Sequence, residues 1–203
     1  MKIKAIELSV FAALIICIAS SISFERDCED IRQSLLRLHV IASGDTQQEQ
    51  EIKLRVRDAI LTAGADIFSQ NDDLTKAKSK AEENIGILQS IAENTLRENG
   101  CTYPVKVEVA ECYFPTRQYK NITLPAGKYN AVRVIIGEGN GKNWWCVMFP
   151  PMCLPAAKDN EAELSDLLGE KSLKIVENAD RYEVRLWIVE KWYELRERVV
   201  SSQ

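Results

Sequence analysis

From Phe114 to Cys153 the chain reads FPTRQYKNITLPAGKYNAVRVIIGEGNGKNWWCVMFPPMC, and no other stretch limits the fold as strongly. Four of the six prolines, four of the nine glycines and two adjacent tryptophans fall within it. Proline removes a backbone donor and glycine weakens a regular element, so the segment is expected as short strands and turns. Tyr129 to Gly137 reads as a strand, fed by the Leu124-Pro125-Ala126-Gly127 turn. Trp144 to Phe149 reads as its hairpin partner across a flexible, Gly-rich tip. Trp144 and Trp145 then point to opposite faces of the sheet. Large, rigid side chains in so loop-rich a segment suit a docking surface, because Trp, Tyr and Arg dominate binding hot spots.

The remaining elements follow from periodicity. Ser34 to Ala42 (SLLRLHVIA) alternates as a strand with Leu36, Leu38 and Val40 on one face. Gln47 to about Ala63 is an amphipathic helix burying Ile52, Val56, Ala59, Ile60 and Ala63, with Lys53, Arg55 and Arg57 off that face. Asp45 or Thr46 caps it, and Gln48 or Glu49 completes a capping box. A second helix runs from about Leu74 to Glu98, with Leu74, Ala77, Ala81, Ile85, Leu88, Ala92 and Leu96 as its buried stripe; Asn99-Gly100 ends it. Pro104 opens a strand, Val105 to Ala110. Lys158 to Asp180 is charged and poor in aromatics, with a short helix around Glu161 to Leu168. Tyr182 to Val189 alternates like a strand, and Glu190 to Val200 closes the chain as a helix.

These elements predict an α+β fold: a single domain with a mostly antiparallel sheet and two long helices packed on one face, preceded by a signal peptide or N-terminal anchor. The expected boundaries are 1–23 for the signal or anchor, 24–33 for a short linker, 34–155 for the α+β domain, 156–181 for a charged linker and 182–203 for a strand and helix packing on the domain.

Export is the expectation for residues 1–23. Lys2 and Lys4 precede the apolar run Leu8 to Ala19, and Ser20, Ser21 and Ser23 follow it. Such a run is shorter than the ~20 residues of a membrane span. No Ala-x-Ala site is present, so retention as an anchor stands beside cleavage. An oxidising compartment favours cysteine pairing. Cys146 and Cys153 form the best pair, because the Phe149-Pro150-Pro151 turn folds the chain back between them. Cys101 and Cys112 meet only if the chain bends, since a straight strand would hold them about 36 Å apart.

The composition and motifs exclude several chemistries. Lys and Arg total 26 against 30 Asp and Glu, so no basic excess serves nucleic acid, and the membrane is reached only through residues 1–23. His39 is the only histidine and stands within an apolar strand, where a packed or surface role is expected; no nucleophile with an orienting third group accompanies it. One histidine among scattered cysteines fits no zinc spacing. The Gly137-Glu138-Gly139-Asn140-Gly141-Lys142-Asn143 loop has the wrong glycine spacing for a phosphate cradle, and a strand follows it. No catalytic, metal or cofactor residue is therefore assigned. An exported hydrolase acting in the cell envelope is the alternative reading, with Asp45, Glu49, Glu111 and Glu138 as available carboxylates. The expected partner-binding residues are Arg117, with Glu138 and Lys142 of the Gly137–Lys142 tip, and whichever of Trp144 and Trp145 points outward.

Several blocks carry a resemblance. LRLHVIASGD (Leu36–Asp45), KLRVRDAIL (Lys53–Leu61), FPTRQY (Phe114–Tyr119) and LPAGKYNAVRVIIGEGNGKNWWCVMFPP (Leu124–Pro151) together resemble the stage II sporulation protein R family, with a weaker echo in YEVRLWIVE (Tyr182–Glu190). Ser43-Gly44-Asp45 departs from the family's usual Asn-Ser-Asp. The resemblance implies a signal made in the forespore and exported into the intermembrane space during endospore formation. There it would trigger a membrane-embedded aspartic protease of the mother cell, which cleaves a sigma-factor precursor. On that reading the chain is a ligand, not an enzyme, and needs no cofactor.

Overall fold

The computed structural model of the chain describes residues 2–68, 73–119, 122–150, 168–182, 186–193 and 195. In order, its elements are α1 (Lys2–Arg32), β1 (Leu36–Ile41), α2 (Gln47–Ile67), α3 (Leu74–Glu83), α4 (Ile85–Glu98), β2 (Val105–Phe114), β3 (Arg117–Tyr119), β4 (Ile122–Leu124), β5 (Gly127–Ile136), β6 (Asn143–Phe149) and α5 (Glu170–Glu177). A 3-10 turn at Ala179–Arg181 and a helix at residues 186–193, here α6, complete them. The class is α+β. The chain divides into two compact units, one of Arg32–Phe114 and Lys128–Gly169, the other of Met1–Ile31, Pro115–Gly127 and Glu170–Gln203.

The larger unit is built on a four-stranded mixed sheet in the order β2-β5-β1-β6. β1 pairs parallel with β5, placing Leu38 opposite Val132 and Val40 opposite Val134. It pairs antiparallel with β6, placing Leu38 opposite Cys146 and Val40 opposite Trp144. The expected β5–β6 hairpin is therefore split by β1. All six β1 residues are buried, so this strand is most stable with a neighbour on each edge. The loop at 137–142 steps across the width of one strand to reach β6. β1 can run parallel to β5 because three helices and strands β2 to β4 separate the two in sequence, enough chain for a crossover.

One sheet face carries Leu36, Leu38, Val40, Val132, Val134, Cys146 and Met148 into the main core. α2 packs on β1 and β6, and α4 packs on α2 and β2. The second expected helix is two helices, α3 and α4, broken at Asn84, whose side chain donates to the Lys80 carbonyl at 2.7 Å. Its buried stripe survives the break, with Ala77, Ala81, Leu88, Ala92 and Leu96 nearly inaccessible. Gly100, at φ 69°, ends α4 as the Asn99-Gly100 signal predicts. β2 continues past Ala110 to Phe114, so Cys101 and Cys112 are not bent toward one another, and both are free thiols.

In the smaller unit, residues 24–31, part of the linker expected at 24–33, belong to the last turns of α1. Phe24, Cys28 and Ile31 are buried there. Phe24 stacks on Tyr182 with centroids 5.6 Å apart, Ser172 Oγ donates to the Asp27 carbonyl at 3.3 Å, and Tyr193 OH lies 3.4 Å from Glu25 Oε1. β3 and β4 pair as a separate antiparallel ribbon, Arg117 opposite Leu124. The expected strand at Tyr182–Val189 is helical from 186 onward. Leu186, Val189 and Tyr193 are its buried residues, a spacing of three and four that a helix satisfies and a strand does not. Residues 7–32 form a helix long and apolar enough to cross a membrane. The short helix expected around Glu161–Leu168 lies, except for Leu168, outside the described residues.

The central place of β1 is testable. Leu38→Ala is expected to cost about 2–5 kcal/mol, as for a fully enclosed leucine. Urea unfolding measures it; a loss below about 1 kcal/mol would fit an edge strand and reject this strand order.

Candidate partner-binding loops

Because β1 and β5 are parallel, their C-terminal ends emerge at the same edge of the sheet. The turn after β1 and the loop after β5 meet there, and α2 begins from the same turn. Thr46 caps α2 through a full capping box with Glu49. The Glu49 carboxylate accepts from Thr46 Oγ1 at 2.7 Å, Thr46 N at 3.1 Å, Ser43 Oγ at 2.9 Å and Tyr103 OH at 3.4 Å. Hydrogen bonds from the Thr46 side chain, then its backbone, then Ser43 hold its pKa below the ordinary carboxylate value. A carboxylate kept ionised in this way is an acceptor rather than a proton donor.

The Gly-rich loop is pinned to this turn, contrary to the expected flexible tip. Lys142 N donates to Asp45 Oδ1 at 2.7 Å, and Gly141 N donates to the Ala42 carbonyl at 2.9 Å. Lys53 Nζ donates to the Lys142 carbonyl at 3.0 Å and to Gln50 Oε1 at 2.6 Å. Lys53, expected off the buried face of α2, is thus buried with its ammonium on the loop backbone. Burial lowers its pKa, and the nearby Asp45 charge opposes that shift. Gly137 and Gly139 take φ of 61° and 69°, as their place in the tip requires. Gly141 is needed for space instead, since a Cβ there would lie 2.2 Å from the Gly44 carbonyl oxygen.

The tryptophans leave this loop on opposite faces, as the alternation predicts. Trp144 packs on the main core, with the Arg57 guanidinium 4.3 Å from its ring centroid. Trp145 stacks on His39 at 3.9 Å and meets Phe114 edge-on at 4.7 Å. Arg37, on the same face, lies 4.2 Å from the Phe114 centroid and 4.7 Å from that of Tyr129, while its Nε donates to the Cys146 carbonyl at 2.9 Å. Both tryptophans are half-buried. His39 is a packed side chain: Nε2 contacts Asn143 Oδ1 at 2.9 Å, and Nδ1 is buried without a partner. Burial lowers its pKa to about 4, against the opposing Asn143 hydrogen bond.

Glu138 and Lys142 are exposed on the loop, and Asn140 Nδ2 donates to Glu138 Oε2 at 3.3 Å. Arg117 is exposed on β3, in the other compact unit. Among the described residues, Cys17, Cys101 and Cys112 are free thiols, no group of three or more His, Cys, Asp or Glu is placed to hold a metal, and Cys28 and Cys146 are buried. Cys153 lies outside the described residues.

Residues 32–159 match the profile of the family described as Stage II sporulation protein R (spore_II_R), a segment covering the sheet and both loops. The chain belongs to the stage II sporulation protein R family. It is similar to Stage II sporulation protein R of Bacillus subtilis (strain 168), 35% identical over 136 residues. That match covers 65% of this chain and spans 59% of the relative's length. No solved structure matches the chain. Within this stage II sporulation protein R fold, sequence reading missed Lys53, Ser43 and Tyr103 as loop supports, because their partners are set by the tertiary fold. Asp45 was visible as a cap candidate and an available carboxylate, not as the acceptor for the Lys142 amide.

Two outcomes follow from the pinned loops and the packed histidine. Gly141→Ala should cost about 1–3 kcal/mol, since the new methyl must displace the Gly44 carbonyl; an unchanged denaturation midpoint would show that the loop is not held. His39 titrates near the ordinary imidazole value of 6.5 when unfolded, but burial lowers this to about 4 in the fold. Its contribution is therefore full above about 6.5 and is lost as pH falls toward 4, because the unfolded chain takes up the proton first. The stability lost between about pH 7 and 5 should be smaller in His39→Gln than in the parent, and equal losses would reject the assignment.

Proposed function

We propose that this chain is an exported signal of endospore formation. It is made in the forespore, delivered into the intermembrane space and recognised there by a membrane-embedded aspartic protease of the mother cell. The protease then processes a sigma-factor precursor. The observation that carries this reading is the family match over residues 32–159, which takes in the sheet and its paired loops. The apolar helix within residues 7–32 supports export or anchoring. In this reading the chain performs no bond-making step. It activates by binding the protease's active state more tightly than its inactive state, since a ligand shifts an equilibrium only through differential affinity.

The docking residues in this proposal are Arg117, Glu138, Lys142, Trp144 and Trp145. Arg117 offers a planar multi-donor head suited to a carboxylate on the partner. The pinned loop presents Glu138 and Lys142 on a preorganised backbone, which lowers the ordering cost of binding. Cys146 pairs with Cys153 in the exported form, closing the turn after β6; such a bond stabilises by about 2–4 kcal/mol when unstrained.

Coexpression of the chain with the protease and its substrate tests the reading. Arg117→Ala, Glu138→Ala and Lys142→Ala should reduce processing while leaving stability within about 0.5 kcal/mol. Trp144→Ala and Trp145→Ala should lower both, because each ring also packs internally. If the three exposed substitutions leave processing intact, or lose it only by unfolding the chain, the docking assignment is wrong. If the parent chain itself fails to trigger processing, the signalling role is wrong.

A further inference from the structure

The smaller unit has a second apolar surface beside α1. α6 buries Leu186, Val189 and Tyr193 inward, yet Trp187, Ile188, Trp192 and the adjoining Leu195 are 55–63% exposed. At about 100° per residue these four occupy one outward arc of roughly 140°. A helix that is apolar on both faces has a second apolar phase to meet.

α1 indicates which phase. Leu8, Val10, Phe11, Leu14, Ile15, Ile16, Ile18 and Ile22 are all more than half exposed. The run ends where Ser21, Phe24 and Glu25 line a groove together with Ile188, Val189 and Trp192. The outward face of α6 thus stands at the level where α1 passes from apolar to polar. Membrane proteins concentrate tryptophan at that level, where an apolar ring with one polar N–H suits the headgroup boundary. Lys191 shares the exposed face, and a lysine stem lies along apolar surface while its ammonium reaches water.

We propose that α6 is a membrane-interface helix. α1 enters the bilayer, and Trp187, Ile188, Trp192 and Leu195 insert at the headgroup–acyl boundary of the leaflet where α1 emerges. This goes beyond the signalling role and requires only that α1 is retained and meets lipid.

The test uses the full chain with phosphatidylcholine vesicles. Tryptophan emission is read with lipids brominated near the glycerol and with lipids brominated near the chain end. The expected result is flotation with the vesicles and stronger quenching by the shallow bromines. That quenching should be lost in Trp187→Phe/Trp192→Phe, which retains only Trp144 and Trp145, and reduced in each single variant. The single variants keep the test valid if the double variant does not fold. Absence of flotation, flotation without quenching, stronger quenching from the deep bromines, or undiminished quenching in the folded variants overturns the proposal. Processing in the coexpression strains is scored separately. Shallow quenching without processing leaves this surface standing and rejects the signalling role, whereas processing without quenching does the reverse.

Discussion

β1 is the constraint on which the larger unit depends. Its residues are all buried, including an arginine and a histidine, so both edges and both faces must be occupied. The edges are taken by β5 and β6. One face is met by α2, and the other holds Arg37 and His39 among Phe114, Tyr129 and Trp145. Burying a guanidinium is costly without compensation. Here two aromatic faces and the Cys146 carbonyl supply part of it, which ties the placement of Arg37 to the register of β6.

That arrangement fixes the neighbouring loops. The parallel β1–β5 pair brings two chain reversals to one edge. Asp45 then reaches a backbone amide 97 positions away, and Lys53 a carbonyl 89 positions away. The small residues of the turn and loop permit backbone to approach backbone, and Gly141 has almost no space beside Gly44. A rigid loop of this kind presents its exposed charges in a fixed geometry, the property a recognition surface needs.

Local periodicity made much of this legible. The stripe from Leu74 to Leu96 and the Thr46–Glu49 box are set by near neighbours, so the sequence displays them directly. Strand order is different, because β5 and β6 look like a hairpin until the need of β1 for two partners is counted. The same holds for Lys53, whose charge reads as solvent-facing although its ammonium is held by a distant carbonyl. Tyr182–Val189 misleads for another reason. A helix that is apolar on both sides loses its 3.6-residue signature and alternates by chance. For the candidate site, the opposed tryptophans were readable and the pinning of the loop was not.

The distance along the chain between β1 and its partners bears on how the protein is made. β1 lies just after the N-terminal apolar helix, whereas its two neighbours begin at Gly127 and Asn143. Until those strands are available, the fully buried strand of the sheet has no partner on either edge. Pairings this non-local form late and slowly. Under the proposed export, that delay would be an advantage: a sheet that cannot close before its later strands arrive leaves the polypeptide slack enough to cross a membrane.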